Sequence, residues 1–260
     1  MNFVNIENVK TALVDFNHAK PFPFAVIDNF FNVDFAHTLA NEFPKFESDA
    51  YNGNYFNKIE IKKAGNIWDK FPPATYKALF YLNGNDFISF IEKEISNTRL
   101  YPDNGLHGGG WHTHPPGGLL NVHLDYSIHP KLGLQRKYNL IVYLNPNYKT
   151  GWGGELGLWD SKDGKPTELV HTVEPLFNRA IIFETTNGWH GLEIPNKFPE
   201  GNNRNSIAVY YLIDPEINAN VRHRALFVPS KEQENDEEIL ELIKRRSTVT
   251  GHDPELWSRK

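Results

Sequence analysis

From about residue 100 onward the apolar positions fall into short runs separated by turn-forming residues: "GGGWHTHPPGGLLNVHLDYSI", "KYNLIVYLN", "GGELGLWD", "LVHTVEP", "RAIIFETT", "WHGLEI" and "NSIAVYYLI". Such runs, rich in β-branched and aromatic residues and bounded by Gly, Pro and Asn, predict many short strands arranged as a sandwich or barrel. Upstream the spacing differs. "PFPFAVIDNFF" reads as a strand that follows proline, and "NVDFAHTLANEFPKF" as a helix with Asn32 or Asp34 near its cap. "PATYKALFYLNGNDFISFIEKEISN" predicts a helix broken at Gly84 between two asparagines. In the tail "KEQENDEEILELIKRR", Ile239, Leu240 and Ile243 sit at helical spacing among charges, which predicts a surface helix.

The 260 residues suffice for one large domain with a substantial core. An aromatic share of 13% argues against wholesale disorder. A formal charge of -5 gives no general electrostatic reason to expect nucleic acid or membrane as a partner. The chain contains no cysteine, so disulfides, thiolate catalysis and sulfur-ligated metals are excluded, and any metal must be held by nitrogen and oxygen. "MNFVNIENVKTALVDF" lacks the basic and apolar regions of a signal peptide, and a cytoplasmic location is expected.

Within the strand run "NVHLDYSIHP", His123 and Asp125 are two apart and therefore share a strand face, as does Asn121. Two ligands do not make a metal site. The strongest third candidate is His190 in "NGWHGLEI", which follows the apolar run "RAIIFETT". Two histidines and one carboxylate on a β framework match the facial triad of non-haem Fe(II) oxygenases, although a zinc hydrolase can use the same set. Further on, in "GNNRNSIAVYYL", Arg204 opens a strand and Ser206 shares its face. A guanidinium grips a carboxylate through paired charge-assisted hydrogen bonds, and a neighbouring hydroxyl can add another. The pair reads as a receptor for a carboxylated co-substrate.

The order His-x-Asp, distal His, Arg-x-Ser resembles the 2-oxoglutarate and Fe(II)-dependent dioxygenases. Within them it is most similar to the prolyl 4-hydroxylase-like group, through "NVHLDY", "YNLIVYLN", "GGELGLW", "NRAIIFET", "HG" and "RNSIAVYY" in that order. The resemblance spans roughly residues 100 to 215. It implies a mainly β fold with flanking helices, a double-stranded β-helix or cupin-like jelly roll. Residues 1–99 would form a helix-rich flank, 100–215 the catalytic core, and 216–260 an extension with a helix. It also implies that His123, Asp125 and His190 bind Fe(II), and that Arg204 takes the distal carboxylate of 2-oxoglutarate. Tyr143 matches a tyrosine that commonly contacts that carboxylate, and Ser206 and Asn139 are further candidates on the same strand faces. The implied reaction consumes O2 and 2-oxoglutarate, with ascorbate as reductant, to hydroxylate a C–H bond of a prolyl or other residue in a peptide or protein. Free amino acids, sugars and other small molecules are alternative substrates. The oligomeric state is left open.

Rival readings remain at this stage: a cupin-like zinc or manganese enzyme using the same ligands, or a metal-binding module without turnover. The first has no evident use for Arg204 and Ser206, and the full ligand set argues against the second, since decay usually removes a ligand first. In "LHGGGWHTHPPGG", His112 and His114 share a strand face, so a second metal site is open, and Trp111, His112 or His114 could meet substrate. Trp189, beside His190, is the tryptophan expected to line the site, with Trp152 and Trp159 as packing residues. His129 and His171 read as structural or exposed. Arg136 and Lys137 read as a solvated turn, Arg222 to Arg224 as a salt-bridged face, and Gly153 and Gly154 as a turn or close backbone approach.

Overall fold

The computed structural model describes residues 3–192, 194–249 and 254–257. Through the first hundred residues the elements are α1 (Ile6–Leu13), β1 (Phe24–Ile27), α2 (Val33–Asn41), β2 (Gly53–Phe56), β3 (Ile61–Gly65), α3 (Pro73–Leu82) and α4 (Asn85–Ile95). Then come β4 (Tyr101–Pro102), β5 (Gly110–His114), β6 (His123–Leu124), β7 (Gln135–Tyr143), β8 (Leu156–Lys162), β9 (Lys165–Val173), β10 (Ala180–Glu184), β11 (His190–Leu192) and β12 (Arg204–Ile213). The chain continues through β13 (Leu226–Phe227), α5 (Glu237–Thr248) and α6 (Pro254–Trp257). Glu193, in the run expected as a strand after His190, lies outside the described residues.

Strands β1, β10, β7, β12, β5, β3 and β2 lie in that order in one sheet, with β4 added against β12. Strands β13, β6, β11, β8 and β9 form a second sheet, and the paired strands run antiparallel. This is the jelly-roll architecture expected from the sequence.

Strand parity explains why the central strands read as nearly unbroken apolar runs. On β12, Ile207, Val209, Tyr211 and Ile213 face a core shared with the helices, as do Tyr138, Leu140 and Val142 on β7. The alternate residues Ile181 and Phe183 on β10, with Tyr143, meet Leu156, Leu158 and Val173 between the two sheets. Both faces of the large sheet are therefore covered, and a strand covered on both faces needs no polar alternation. The polar exceptions on its inner face are the candidate site residues.

Local chemistry sets the helix boundaries. The Asn32 side chain accepts a hydrogen bond from the Asp34 N–H at the start of α2, and Pro73 occupies the first turn of α3. Gly84 separates α3 from α4, where the break was expected. The ends of these two helices are held from the sheet: the Tyr211 hydroxyl donates to Leu82 O at 3.1 Å and Tyr138 to Ile95 O at 3.2 Å. Each buried phenol thereby satisfies a terminal helix carbonyl that has no partner within the helix. Among the described residues no helix is long and apolar enough to cross a membrane.

The strand expected in the first hundred residues forms as β1 at one edge of the large sheet, and the hairpin β2–β3, which was not expected, extends the sheet on the other. In α5, Ile239 is buried and packs with Leu242 and Ile243 against Ile59, Leu120, Leu192 and Phe227, whereas Leu240 faces outward at 40% exposure. The helix therefore docks on the second sheet through one face.

The docking also has a polar tie. Glu60, just before β3, accepts from Lys62 at 3.0 Å and from Arg246 of α5 at 2.8 Å, all three side chains being largely buried. Burial would raise the pKa of Glu60, but the two cations outweigh it and bring it down to about 2. Removing one partner of a buried ion cluster leaves uncompensated charge and costs about 3 kcal/mol or more. Glu60→Gln should lose about that much stability in urea denaturation at neutral pH. The native contribution is present above the carboxylate's unperturbed pKa and is lost as pH falls towards about 2, because the unfolded chain takes up the proton first. The variant should lack that component of acid sensitivity.

Candidate active site

Strands β6 and β11 are neighbours, and their register sets His123 directly opposite His190. The two imidazole centroids are 4.3 Å apart. Asp125 follows β6 on the same face as His123. One ligand atom from each of the three residues lies within 4.8 Å of the others, and all three residues are buried. Each histidine is oriented by the carbonyl two residues before it: His123 Nδ1 lies 2.9 Å from Asn121 O, and His190 Nδ1 lies 2.8 Å from Gly188 O. Those contacts assign the ring proton to Nδ1 and leave each Nε2 as a lone-pair donor. The rings are held by apolar neighbours, His123 against Phe227 and His190 against Phe183. The Asn121 side chain turns away to Val228 O and Gln233, so only its backbone serves the site.

Burial, followed by the neighbouring His190, lowers the pKa of His123 to about 3, and burial lowers that of His190. Both rings are neutral at pH 7. Burial would raise the pKa of Asp125, but Arg136 and the two histidines outweigh it and bring it to about 2. Its Oδ2 is buried without a hydrogen-bond partner. Two neutral imidazoles, one carboxylate and an unpartnered buried oxygen are a donor set that fits a divalent metal of borderline hardness.

Arg136 corrects the expectation of a solvated turn. It is buried, with its guanidinium between the rings of Tyr126 and Tyr210 at 3.5 and 3.4 Å and Nη1 at 3.6 Å from Asp125 Oδ1. It also donates to His107 O. Lys137 is half-buried and pairs with Glu184 at 2.6 Å.

The candidate carboxylate receptor lies deeper, on the large sheet. Arg204 is buried, donates from Nε to Gly154 O at 2.6 Å, and lies 4.9 Å from the Tyr143 ring. Gly154 has φ +77°, and a Cβ there would come within 3.0 Å of Arg204 Cδ, so the close approach requires glycine. Among the described residues no carboxylate is within ion-pair distance of Arg204. A buried guanidinium without an acid partner is costly and calls for an anion. The Tyr143 hydroxyl is buried with the Arg204 guanidinium as its polar neighbour, and burial raises its pKa against the pull of Arg204. Ser206 stands opposite Tyr143 in the ladder, and Asn139 opposite Tyr210. Asn139 Oδ1 is buried and unpartnered.

A cavity of about 430 Å³ joins the parts, reached by His123, Asp125, His190, Asn139, Arg204 and Ser206. It is also lined by Tyr55, Glu60, Lys62, Phe227, Arg246 and Trp257, none of which the sequence marked as site residues. His112 and His114 line the cavity, but the triad is the one metal-capable cluster among the described residues, so they do not form a second metal site. Trp111 points the other way, into the helical core against Phe43 and Phe71. Trp189 is buried and is not among the cavity residues. Both tryptophans are adjacent in sequence to a cavity histidine, and period-two alternation sends them to the opposite face.

Among the remaining residues, His129 is buried 3.4 Å from Asp103, and His171 is exposed against Phe24. Trp152 packs on Phe198. Arg222 and Arg224 donate to the carbonyls of Thr186 and Val249, and His223 and Arg224 reach the cavity.

Residues 109–212 match the model of the 2OG-Fe(II) oxygenase superfamily. Among solved structures, a Pseudomonas putida prolyl-4-hydroxylase is similar with a TM-score of 0.56 at 19% identity, covering 79% of this chain and 99% of that one. A Trichoplax adhaerens prolyl hydroxylase, in complex with a hypoxia inducible factor oxygen degradation domain peptide fragment, gives 0.57 at 17%, covering 80% and 90%. A prolyl 4-hydroxylase from Phytophthora capsici gives 0.55 at 20%, covering 95% and 77%. The fold is therefore shared with these enzymes, and the zinc or manganese enzyme and the module without turnover are not favoured.

Asp125→Ala removes the anionic donor and should abolish Mn(II) binding measured by calorimetry. His112→Ala, in the same cavity but outside the triad, should leave it unchanged.

Proposed function

We propose that this chain is an Fe(II)- and 2-oxoglutarate-dependent dioxygenase, a reading supported by the match of residues 109–212 to the 2OG-Fe(II) oxygenase superfamily model, and that it hydroxylates a prolyl or other residue of a peptide or protein. One observation carries the site assignment: three metal-capable side chains converge in a cavity that also reaches Arg204, which is buried without an acid partner among the described residues. In this reading His123 and His190 through Nε2, and Asp125 through its carboxylate, hold the iron. Arg204, Tyr143, Ser206 and Asn139 seat 2-oxoglutarate. Bound there, iron and 2-oxoglutarate supply the oxidising chemistry, in which the 2-oxo acid gives succinate and carbon dioxide while one atom of O2 enters a C–H bond.

The chain's own residues do the positioning. The carbonyls of Asn121 and Gly188 fix the tautomer and direction of the two imidazoles. Arg136 keeps Asp125 ionised and limits its rotation. Phe183, Phe227 and the inner core exclude water from the ligand face. We assign residues 100–215 to the catalytic unit, with the flanks completing the substrate wall through Tyr55 and Trp257. The peptide reading is supported by the shared fold with prolyl hydroxylases, one of them solved with a peptide fragment.

The test is incubation with Fe(II), ascorbate and 2-oxoglutarate, comparing proline-containing peptides with free proline and sugars. Succinate formation matched by gain of one oxygen in a peptide is expected; coupling to a free amino acid or sugar alone would replace the peptide reading. Arg204→Ala should raise the 2-oxoglutarate concentration needed by roughly thirtyfold or more, since losing a buried charge-assisted contact costs about 2–5 kcal/mol. Mn(II) affinity should be unaffected, and equal losses of both would indicate a damaged strand.

A further inference from the structure

The assignments above give no task to His114, the last residue of β5. It stands directly opposite Arg204 in the antiparallel ladder, so the two side chains are neighbours on the inner face of the sheet. It lines the same cavity and is 2% exposed. Neither ring nitrogen has a hydrogen-bond partner. A buried imidazole makes one donor and one acceptor available, and leaving both unmade costs free energy that native structures rarely concede. The ring is neutral, because burial, followed by Arg204 and Lys62, lowers its pKa well below the ordinary value. It therefore keeps one N–H to offer an anion and adds no charge of its own.

The backbone holds this ring in place. The turn after β5 closes through Gly118 N–H to Pro115 O at 2.7 Å, and Asn196 Nδ2 donates to Pro115 O at 2.8 Å. A Cβ on Gly118 would come within 2.8 Å of His114 Cβ, so the turn packs directly against the histidine. The buried Tyr143 lies on the other side of Arg204, its ring 4.9 Å away. A guanidinium thus has a phenol to one side and an imidazole to the other, all buried, and neither ring nitrogen of the imidazole is in hydrogen-bond geometry with a side chain.

We propose that His114 donates a hydrogen bond to the distal carboxylate of 2-oxoglutarate, sharing that group with Arg204 and Tyr143, and so sets selectivity for the dicarboxylic co-substrate. This rests on the co-substrate assignment above. The test measures binding of two 2-oxo acids to the Mn(II)-loaded protein by calorimetry: 2-oxoglutarate, and 2-oxobutyrate, which keeps the chelating end but lacks the distal carboxylate. His114→Phe should weaken 2-oxoglutarate about tenfold or more, the worth of one hydrogen bond to a charged group. Mn(II) and 2-oxobutyrate should bind as in the wild type, and His114→Gln, which restores an N–H donor, should recover most of the loss. His114→Leu should repeat the loss if the larger ring prevents folding. Unchanged 2-oxoglutarate affinity in the Phe and Leu variants overturns the proposal, as does parallel loss of both 2-oxo acids or a Gln variant no better than Leu. A wild-type protein that binds Mn(II) but not 2-oxoglutarate would instead overturn the co-substrate assignment itself.

Discussion

The pairing of two short strands, β6 and β11, governs the rest. With His123 opposite His190, both imidazoles and the Asp125 carboxylate are delivered to one side of the second sheet. A slip of one residue would turn that face over and present Leu124 or Gly191 instead. Neither strand is long enough to specify its own register. It is imposed by β8 beside β11, by β13 beside β6, and by the apolar contacts of Leu120, Leu192 and Phe227 beneath them.

The large sheet solves a different problem, which is how to bury two guanidinium groups at opposite ends of paired strands β7 and β12. Arg136 is compensated within the protein, by two tyrosine faces and the Asp125 carboxylate. Arg204 has a carbonyl and the edge of a tyrosine environment but no acid. The first arrangement is complete, and it sustains the charge on a metal-capable carboxylate. The second has no acid among the described residues, which is what the proposed receptor role for Arg204 rests on.

Much of this was legible in the chain. The β-branched runs gave the strands, Gly84 gave the helix break, and the order of His123, Asp125, His190 and Arg204 marked the residues that the fold gathers around one cavity. Arg136 was not legible, because "QRK" reads as a polar turn unless the ladder is known to begin at Gln135 and the aromatic partners Tyr126 and Tyr210 are known to flank it. The β2–β3 hairpin escaped notice because "IKKAG" carries two lysines and little apolar alternation. The orientation of Trp111 and Trp189, by contrast, was available from parity with the adjacent histidines. Proximity in sequence to a ligand is a poor guide on a strand, since the nearest neighbour points the opposite way.

Glu60 joins Lys62 of the early hairpin to Arg246 of the late helix, and Trp257 stacks over that arginine at 4.0 Å. One side of the cavity is therefore assembled from segments near opposite ends of the polypeptide, while the metal-capable face comes from its middle. The two halves of the chamber draw on separate stretches of gene. Substitutions in the outer stretches would therefore change the chamber's lining while leaving the metal-capable residues in place.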